Sequence, residues 1–371
     1  MDFKEEAFFS IALSSIPGMG AIRAKRIIDS TGSAKTAFEN HTHYLQSKNR
    51  GNYSSTFDAD IILKHTDKVY QQTIAKGIDI IAYTAPTYPW RLKECEDPPT
   101  LLYYKGSSSI NKLRVVSIVG TRNMTAYGES FCNELITDLA DFDSDILIVS
   151  GLAYGVDVLA HKKSILKGMD TIAVLAHGLD RIYPFSHRHI AKEIINKGAL
   201  VSEYPLGAPP DRFHFVSRNR IIAGLSDVTV VIESAYKGGA LITAQFANDY
   251  NRECFALPGR VTDSHSLGCN QLIKENRAGL IQSAQDIINN MQWKKEGNSP
   301  ESENKQYTLF TEPLTAIEEV IVKSLKEKGN LTTDGLAILL NLPIHKTHSL
   351  LFELEMKGVI SSIAGNSYTL N

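Results

Sequence analysis

Arg218, Asn219 and Arg220 stand together in "DRFHFVSRNRIIAGLSDVTVVIES", with Phe213 and Phe215 just ahead of them. Guanidinium groups neutralise phosphate oxygens and aromatic faces accept unpaired bases, the combination from which sequence-tolerant binding of single strands is built. The phenylalanines have strand-like spacing, and the arginines directly precede an apolar helix leading into a buried strand. The alternative is that the phenylalanines are core and the arginines pair with Asp211, Asp227 or Glu233. From Asp211 to Arg260 six basic residues stand against five acids, a net charge of only +1. A phosphate-binding surface must therefore be assembled from several loops.

Three more stretches supply such loops. "SIVGTRNMTAYGESF" puts Gly120 at a strand end, Arg122 in the loop and Gly128 near the next helix, so that backbone amides and a guanidinium can clamp a phosphate. It is not the G-x-G-x-x-G of a dinucleotide site. "AYKGGALITAQFA" follows another strand with Lys237, the pair Gly238 and Gly239, and then Thr243, a second phosphate cradle. "HGLDRIYPFSHRHIAKE" carries Arg181, Tyr183, His187, Arg188 and His189; two histidines two apart invite a metal, but no third ligand lies near, so neither metal nor cofactor is expected. In "SGLAYGVDVLAHKKSILKG", Gly151 and Gly155 permit a tight turn and Asp157 is read as a helix cap. His161 has no nucleophile near it and reads as a structural histidine rather than a base.

The elements that position these loops are legible as short apolar runs: "RVVSIVG", "DILIVSG", "TIAVLAHG", "ALVSEYP", "DVTVVIES" and "ECFALPG". Each is followed by a helical segment, which predicts a parallel sheet covered on both faces, an α/β Rossmann-like domain over residues 66–290. Ahead of them "GIDIIAYTAPTYPWRLKECEDPPTLLYYKG" reads as strand, Pro-rich connection and strand. In such a sheet ligands bind at the carboxyl ends of the strands.

Residues 1–65 read as a separate helical module. Its "IPGMGAIRAKRII" resembles a helix-hairpin-helix, with Arg23, Lys25 and Arg26 as accessory DNA contacts; an amphipathic helix with solvated cations fits equally. Residues 291–312 are polar and read as a linker. Residues 313–371 have three helical stretches and a two-stranded finish turning at Gly365 and Asn366, the order of a winged helix that could bind duplex DNA or dock a protein.

The 371 residues are 43% hydrophobic and 22% charged, with a net charge of -2, so any anion must be held by local geometry. Cys95, Cys132, Cys254 and Cys269 form no C-x-x-C pair and read as reduced packing residues. The acidic start and the lack of a run of membrane-spanning length predict a cytoplasmic protein.

Taken in order, "VGTRNMTAYG", "SGLAYGVDVLAH", "HGLDRIYP", "SEYPLG", "FHFVSRNRIIAGLS", "KGGALITAQFA", "FALPG" and "GCNQLIKENRA" resemble the DNA-processing protein A family, also called DprA or Smf. The resemblance implies a homodimeric, non-enzymatic protein that binds single-stranded DNA and loads the RecA recombinase during natural transformation. It implies phosphate contacts at Arg122, Arg218, Asn219, Arg220, Lys237, Gly238, Gly239 and Thr243, which Gly120 is expected to join from the loop read above. Arg181 is expected to help hold phosphates, and Tyr183, Phe213 or Phe215 to meet bases. Thr121 stands where many members have Ser, Val216 replaces a Pro, and "KGGALITA" replaces "SGSLITA", which removes a serine hydroxyl from the cradle. A second resemblance is to nucleotide phosphoribohydrolases, whose P-G-G-x-G-T-x-x-E loop supplies a catalytic glutamate. Here Leu241 takes the place of the third glycine, and Gln245 and Phe246 stand around the position of the acid.

Overall fold

The computed structural model describes residues 3–40, 58–295, 315–328, 331–340, 342–357, 359–363 and 367–370. Two compact units result, Met1–Glu296 and Gly297–Asn371.

The first unit opens with helices α1 (Phe3–Ser14), α2 (Ala21–Thr31), α3 (34–40) and α4 (Ala59–Ala75). Strand β1 (Asp79–Ala82), the short α5 (Trp90–Lys93) and β2 (Leu101–Gly106) follow. Then come β3 (Val115–Gly120), α6 (Ala126–Phe142), β4 (Leu147–Ser150), α7 (Val156–Leu166), β5 (Thr171–Leu175), α8 (Arg188–Lys197) and β6 (Gly198–Ser202). The remainder is α9 (Arg212–Gly224), β7 (Val228–Ile232), α10 (Ala240–Asp249), β8 (Glu253–Ala256), α11 (Leu267–Lys274), β9 (Gly279–Leu280) and α12 (Ala284–Asn290).

Every apolar run read from the sequence is a strand of one nine-stranded sheet, ordered β1-β2-β6-β5-β4-β3-β7-β8-β9. Strands β3 to β9 pair in parallel, while β2 is antiparallel to both β1 and β6. The fold is thus the expected Rossmann-like one. After β3 the chain steps outward through β4, β5 and β6, then returns to place β7 on the other side of β3. That reversal makes the β3/β7 junction the topological switch point, where a crevice opens at the strands' carboxyl ends.

Alternation along the strands covers both faces. Val115 and Val119 of β3 and Val231 of β7 face one cluster, with Ile221 and Ile222 of α9 and Ala244 of α10. Val116 and Ile118 of β3 and Val228, Val230 and Ile232 of β7 face the other, under Leu135, Ile136 and Leu139 of α6. Each such fully buried side chain contributes about 1.5–3 kcal/mol, so the sheet centre is the rigid platform for the loops above it.

The amino-terminal helices belong to this platform. Leu13, Ile28 and Phe38 share a cluster with Tyr83, Leu92 and Leu102, and α4 runs through residue 65, where a domain boundary was expected.

The second unit contains α13 (Ala316–Lys328), β10 (Leu331–Thr332), α14 (Thr333–Leu340), α15 (Ile344–Met356), β11 (Ile360–Ile363) and β12 (Ser367–Leu370). Its antiparallel sheet has the order β10-β12-β11, and Ile321, Leu325, Leu336, Leu351, Leu354 and Ile360 form its own core. This is the arrangement of a winged helix. Most of the expected linker, and the turn at Gly365 and Asn366, lie outside the described residues.

Candidate nucleic-acid interface

A cavity of about 750 Å3 opens at the switch point. Its walls come from the loops after β3, β4, β5 and β7 and from the start of α9. Gly120 ends β3 so close to the Ile232 carbonyl of β7 that a side chain there has no room. Arg122 extends from the next loop to the cavity wall; it is exposed, and its guanidinium has no hydrogen-bond or ion-pair partner among the described residues.

The glycine pair lines the same cavity. Gly239 is the N-cap of α10 with no side-chain cap, and the backbone amides of Gly239 and Ala240 have no acceptor among the described residues. Free amides at a helix start, reinforced by the helix dipole, favour an anion. Gly238 is packed against the Ser234 hydroxyl, whereas a Cβ on Gly239 would meet nothing within 4 Å. Gly239 also has an ordinary φ of -64°, so neither space nor conformation within the chain calls for glycine there. Lys237, exposed and unpaired among the described residues, and Thr243, one turn into α10, line the cavity as well.

Helix α9 corrects the reading of the arginine segment. Residues 212–224 form one continuous helix, capped by the Asp211 carboxylate, which accepts from the Phe213 amide at 2.8 Å. Residues two apart on a helix lie about 200° apart around its axis, so neither the phenylalanine pair nor the arginine pair shares a face. Phe215 turns into the cavity, where its ring centroid lies 5.6 Å from that of Tyr183. Phe213 points away and is 81% exposed.

The arginines part in the same way. Arg220 does not line the cavity: its guanidinium is ion-paired with Glu203 and donates to the Asp97 carbonyl at 2.5 Å. Arg218 lies under the cavity floor, 4% exposed, donating to the carbonyls of Gly151 and Val174. Burial pulls its pKa down to about 10, opposed by the buried Asp157 carboxylate, so it stays charged at neutral pH. Between them on the helix, Asn219 is half-buried on the cavity wall.

None of the acids expected as partners for these arginines plays that role. Asp211 caps α9, Asp227 takes a two-pronged contact from Arg91 at 2.6 and 2.8 Å, and Glu233 accepts the Thr125 amide at 2.8 Å and its hydroxyl. Asp157 does not cap α7 but reaches back to the Ala153 amide at 3.4 Å, bracing the loop after β4. Burial raises the pKa of this carboxyl, and the neighbouring Arg218 opposes the shift.

Arg181 lies outside the cavity lining, with its guanidinium 3.1 Å from Asp180 and 3.3 Å from the Gly207 carbonyl. In the amino-terminal helices, Lys25 donates to the Cys95 carbonyl at 3.0 Å, so it serves packing. Arg23 and Arg26 line a separate shallow hollow with Gly18, Gly20 and Asp97. Arg212, exposed and unpaired among the described residues, lines the main cavity and joins the cations read from the sequence.

His161 is buried, its Nδ1 2.7 Å from the Thr171 hydroxyl and its pKa lowered to about 3 by burial, so the ring is neutral. The four cysteines are buried and free; burial pushes Cys95 up to about 11 and Cys132, Cys254 and Cys269 up to about 12. Among the described residues no group of three or more His, Cys, Asp or Glu is gathered as for a metal, and no helix is long and apolar enough to cross a membrane.

Free helix-start amides, unpaired cations and an aromatic wall at a switch point define a Rossmann-like α/β protein with an anion-ready cleft. Within that class the assignment is specific: residues 79–292 match the family model described as DNA recombination-mediator protein A, and the chain belongs to that family. It is 41% identical over 201 residues to the DNA processing protein DprA of Streptococcus pneumoniae, covering 54% of this chain and 70% of that protein. The crystal structure of the pneumococcal DprA superposes with a TM-score of 0.62 at 29% identity, covering 78% of this chain and 98% of that one. The structure of DprA from Helicobacter pylori, described for its single-stranded DNA binding mode, has a TM-score of 0.52 at 31% identity and covers 58% and 95%.

Proposed function

We propose that this chain holds single-stranded DNA in the cavity between β3 and β7 and, as a cytoplasmic homodimer, delivers it to the RecA recombinase, acting as a binding protein and not as an enzyme. The observation that carries the reading is the pairing of two chemistries across one cavity. The lining includes Lys237, unpaired among the described residues, and Gly239 and Ala240, whose amides have no acceptor among them, together with Arg122; Tyr183 and Phe215 line the same cavity. Amides and cations suit phosphates, while the ring pair suits an unstacked base. Arg218 contributes a positive charge under the floor, and Asn219 and Thr243 contribute polar atoms along the wall. Membership in the recombination-mediator family supports the same reading, as does the single-stranded DNA binding described for the Helicobacter pylori relative.

The hydrolase alternative finds little support in the residues near the glycine pair. Glu233 is buried and committed to Thr125, and Gln245 bonds Asp249 at 2.6 Å on the surface.

The test is a titration of a fluorescent oligo-dT strand and its duplex across a salt series. Preference for the single strand, weakening with salt by about 0.7 in log K per decade for each phosphate neutralised, is the expected result. Absence of single-strand binding at low salt, with release of a base from nucleoside monophosphates, would favour the hydrolase reading.

A further inference from the structure

Beside the cavity, the segment after β5 carries exposed aromatic residues and cations that the cavity does not use. Tyr183 lines the cavity wall, and two residues on Phe185 is 73% exposed. The Arg188 guanidinium sits 5.9 Å from the centre of the Phe185 ring. Tyr154, next to the cavity residue Ala153, is 48% exposed; its hydroxyl accepts from Ser186 at 3.3 Å and its ring packs 4.9 Å from that of His187. Lys192 lies one turn beyond Arg188 on α8 and is exposed. From residue 180 to 197 there are four basic residues and two acids; Asp180 is paired with Arg181 and Glu193 lies 2.9 Å from His189, which leaves Arg188 and Lys192 on the exposed surface.

Large exposed rings are costly to keep in water, and none of these is needed by the core beneath, where Ile190, Ala191 and Ile194 of α8 do the packing. Rings interleaved with cations that have no ion-pair partner among the described residues fit a polyanion with flat apolar faces better than an acidic protein, which offers few such faces. Continuity with the Tyr183 wall specifies which polyanion.

Resting on the proposed function, we propose that a single strand leaving the cavity at Tyr183 continues over Tyr154 and Phe185 to Arg188 and Lys192, so that α8 is a second segment of the DNA path. The cavity sets the anchoring subsite and the α8 surface lengthens the footprint. All four side chains are exposed, and only Tyr154 touches a buried residue, His187, so the replacements should leave the core in place.

The experiment compares full-length wild type with R188E/K192E and with Y154A/F185A, binding oligo-dT of roughly five nucleotides, enough to fill one subsite, and of roughly twenty. Thermal unfolding midpoints serve as the folding control. The expected result is at least a tenfold loss for the long strand in R188E/K192E with a shallower salt dependence, a smaller loss in Y154A/F185A, and unchanged affinity for the short strand. Equal losses at both lengths, or no loss at either, overturn the second segment; in the latter case the patch serves another partner, such as an acidic protein. If wild type binds neither strand, the cavity reading itself fails, an outcome distinct from both.

Discussion

The guanidinium of Arg218 occupies the space where residue 151 would carry a side chain: a Cβ on Gly151 would lie 2.5 Å from Nη1. The glycine immediately after β4 is there to admit an arginine from α9, and that arginine ties the carbonyl ends of β4 and β5 together beneath the cavity. Arg218 is therefore part of the frame on which the binding surface stands.

Its removal should be felt as instability. Arg218→Ala leaves the buried Gly151 and Val174 carbonyls without their guanidinium donor, at a cost of about 1–3 kcal/mol for each acceptor left unpaired, and removes the positive charge that opposes the burial of Asp157. Gly151→Ala, which displaces the guanidinium, should cost about 1–3 kcal/mol. Denaturant unfolding reads both; an Arg218→Ala protein as stable as wild type would mean that the buried charge is not structural.

Gly239 should behave in the opposite way. With open space at its Cβ and an ordinary φ, Gly239→Ala should change stability by less than about 1 kcal/mol while weakening oligo-dT binding roughly tenfold, because a methyl would stand over the free amides. Gly238→Ala, which meets the Ser234 hydroxyl, should lower stability instead. Unaltered DNA affinity in Gly239→Ala would remove α10 from the interface.

Stability should fall on mild acidification. His161 is held neutral with its pKa lowered to about 3, below the ordinary 6.5, so between these values the unfolded chain binds the extra proton. Stability is then at its full value above pH 6.5 and declines as the pH drops, by up to about 1.4 kcal/mol per pH unit for one such group. The buried His177, also lowered chiefly by burial, adds a slope of the same sign. Unfolding free energies from pH 7 to 5 should show His161→Asn, which can still meet Thr171, with a shallower slope; an identical slope would place the titration elsewhere.

The winged-helix unit should not bind duplex DNA on its own. Helix α15 exposes Ile344, at 53%, and Phe352, at 63%, alongside the acid Glu353, and Lys346 is its one exposed Lys or Arg, too little positive charge to neutralise a row of phosphates. Residues 313–371, which have their own core, should bind a duplex no more tightly than a neutral control protein. Salt-dependent duplex binding would contradict this.

The strands were legible because parallel strands covered on both faces must be continuously apolar, and the glycine loops because a strand-to-helix turn at a switch point leaves little choice of residue. Helix α9 was not, because "RFHFVSRNR" alternates large and polar side chains as a strand does. The signal that could have identified it is Asp211, an N-cap immediately before the run. The burial of Arg218 and Arg220 was also hidden: their partners at 97, 151, 174 and 203 come from distant parts of the chain, and only the folded sheet brings them near. Arg122 stands out for the contrary reason, that the fold gives it no partner among the described residues.

That contrast provides the most direct test of the cavity as a DNA site. Oligo-dT affinity across a salt series should be measured for wild type and Arg122→Ala, with thermal unfolding alongside. The account predicts unfolding within about 0.5 kcal/mol of wild type, at least tenfold weaker binding, and a salt slope reduced by about 0.7, one phosphate's share. Wild-type affinity and slope in Arg122→Ala would contradict it.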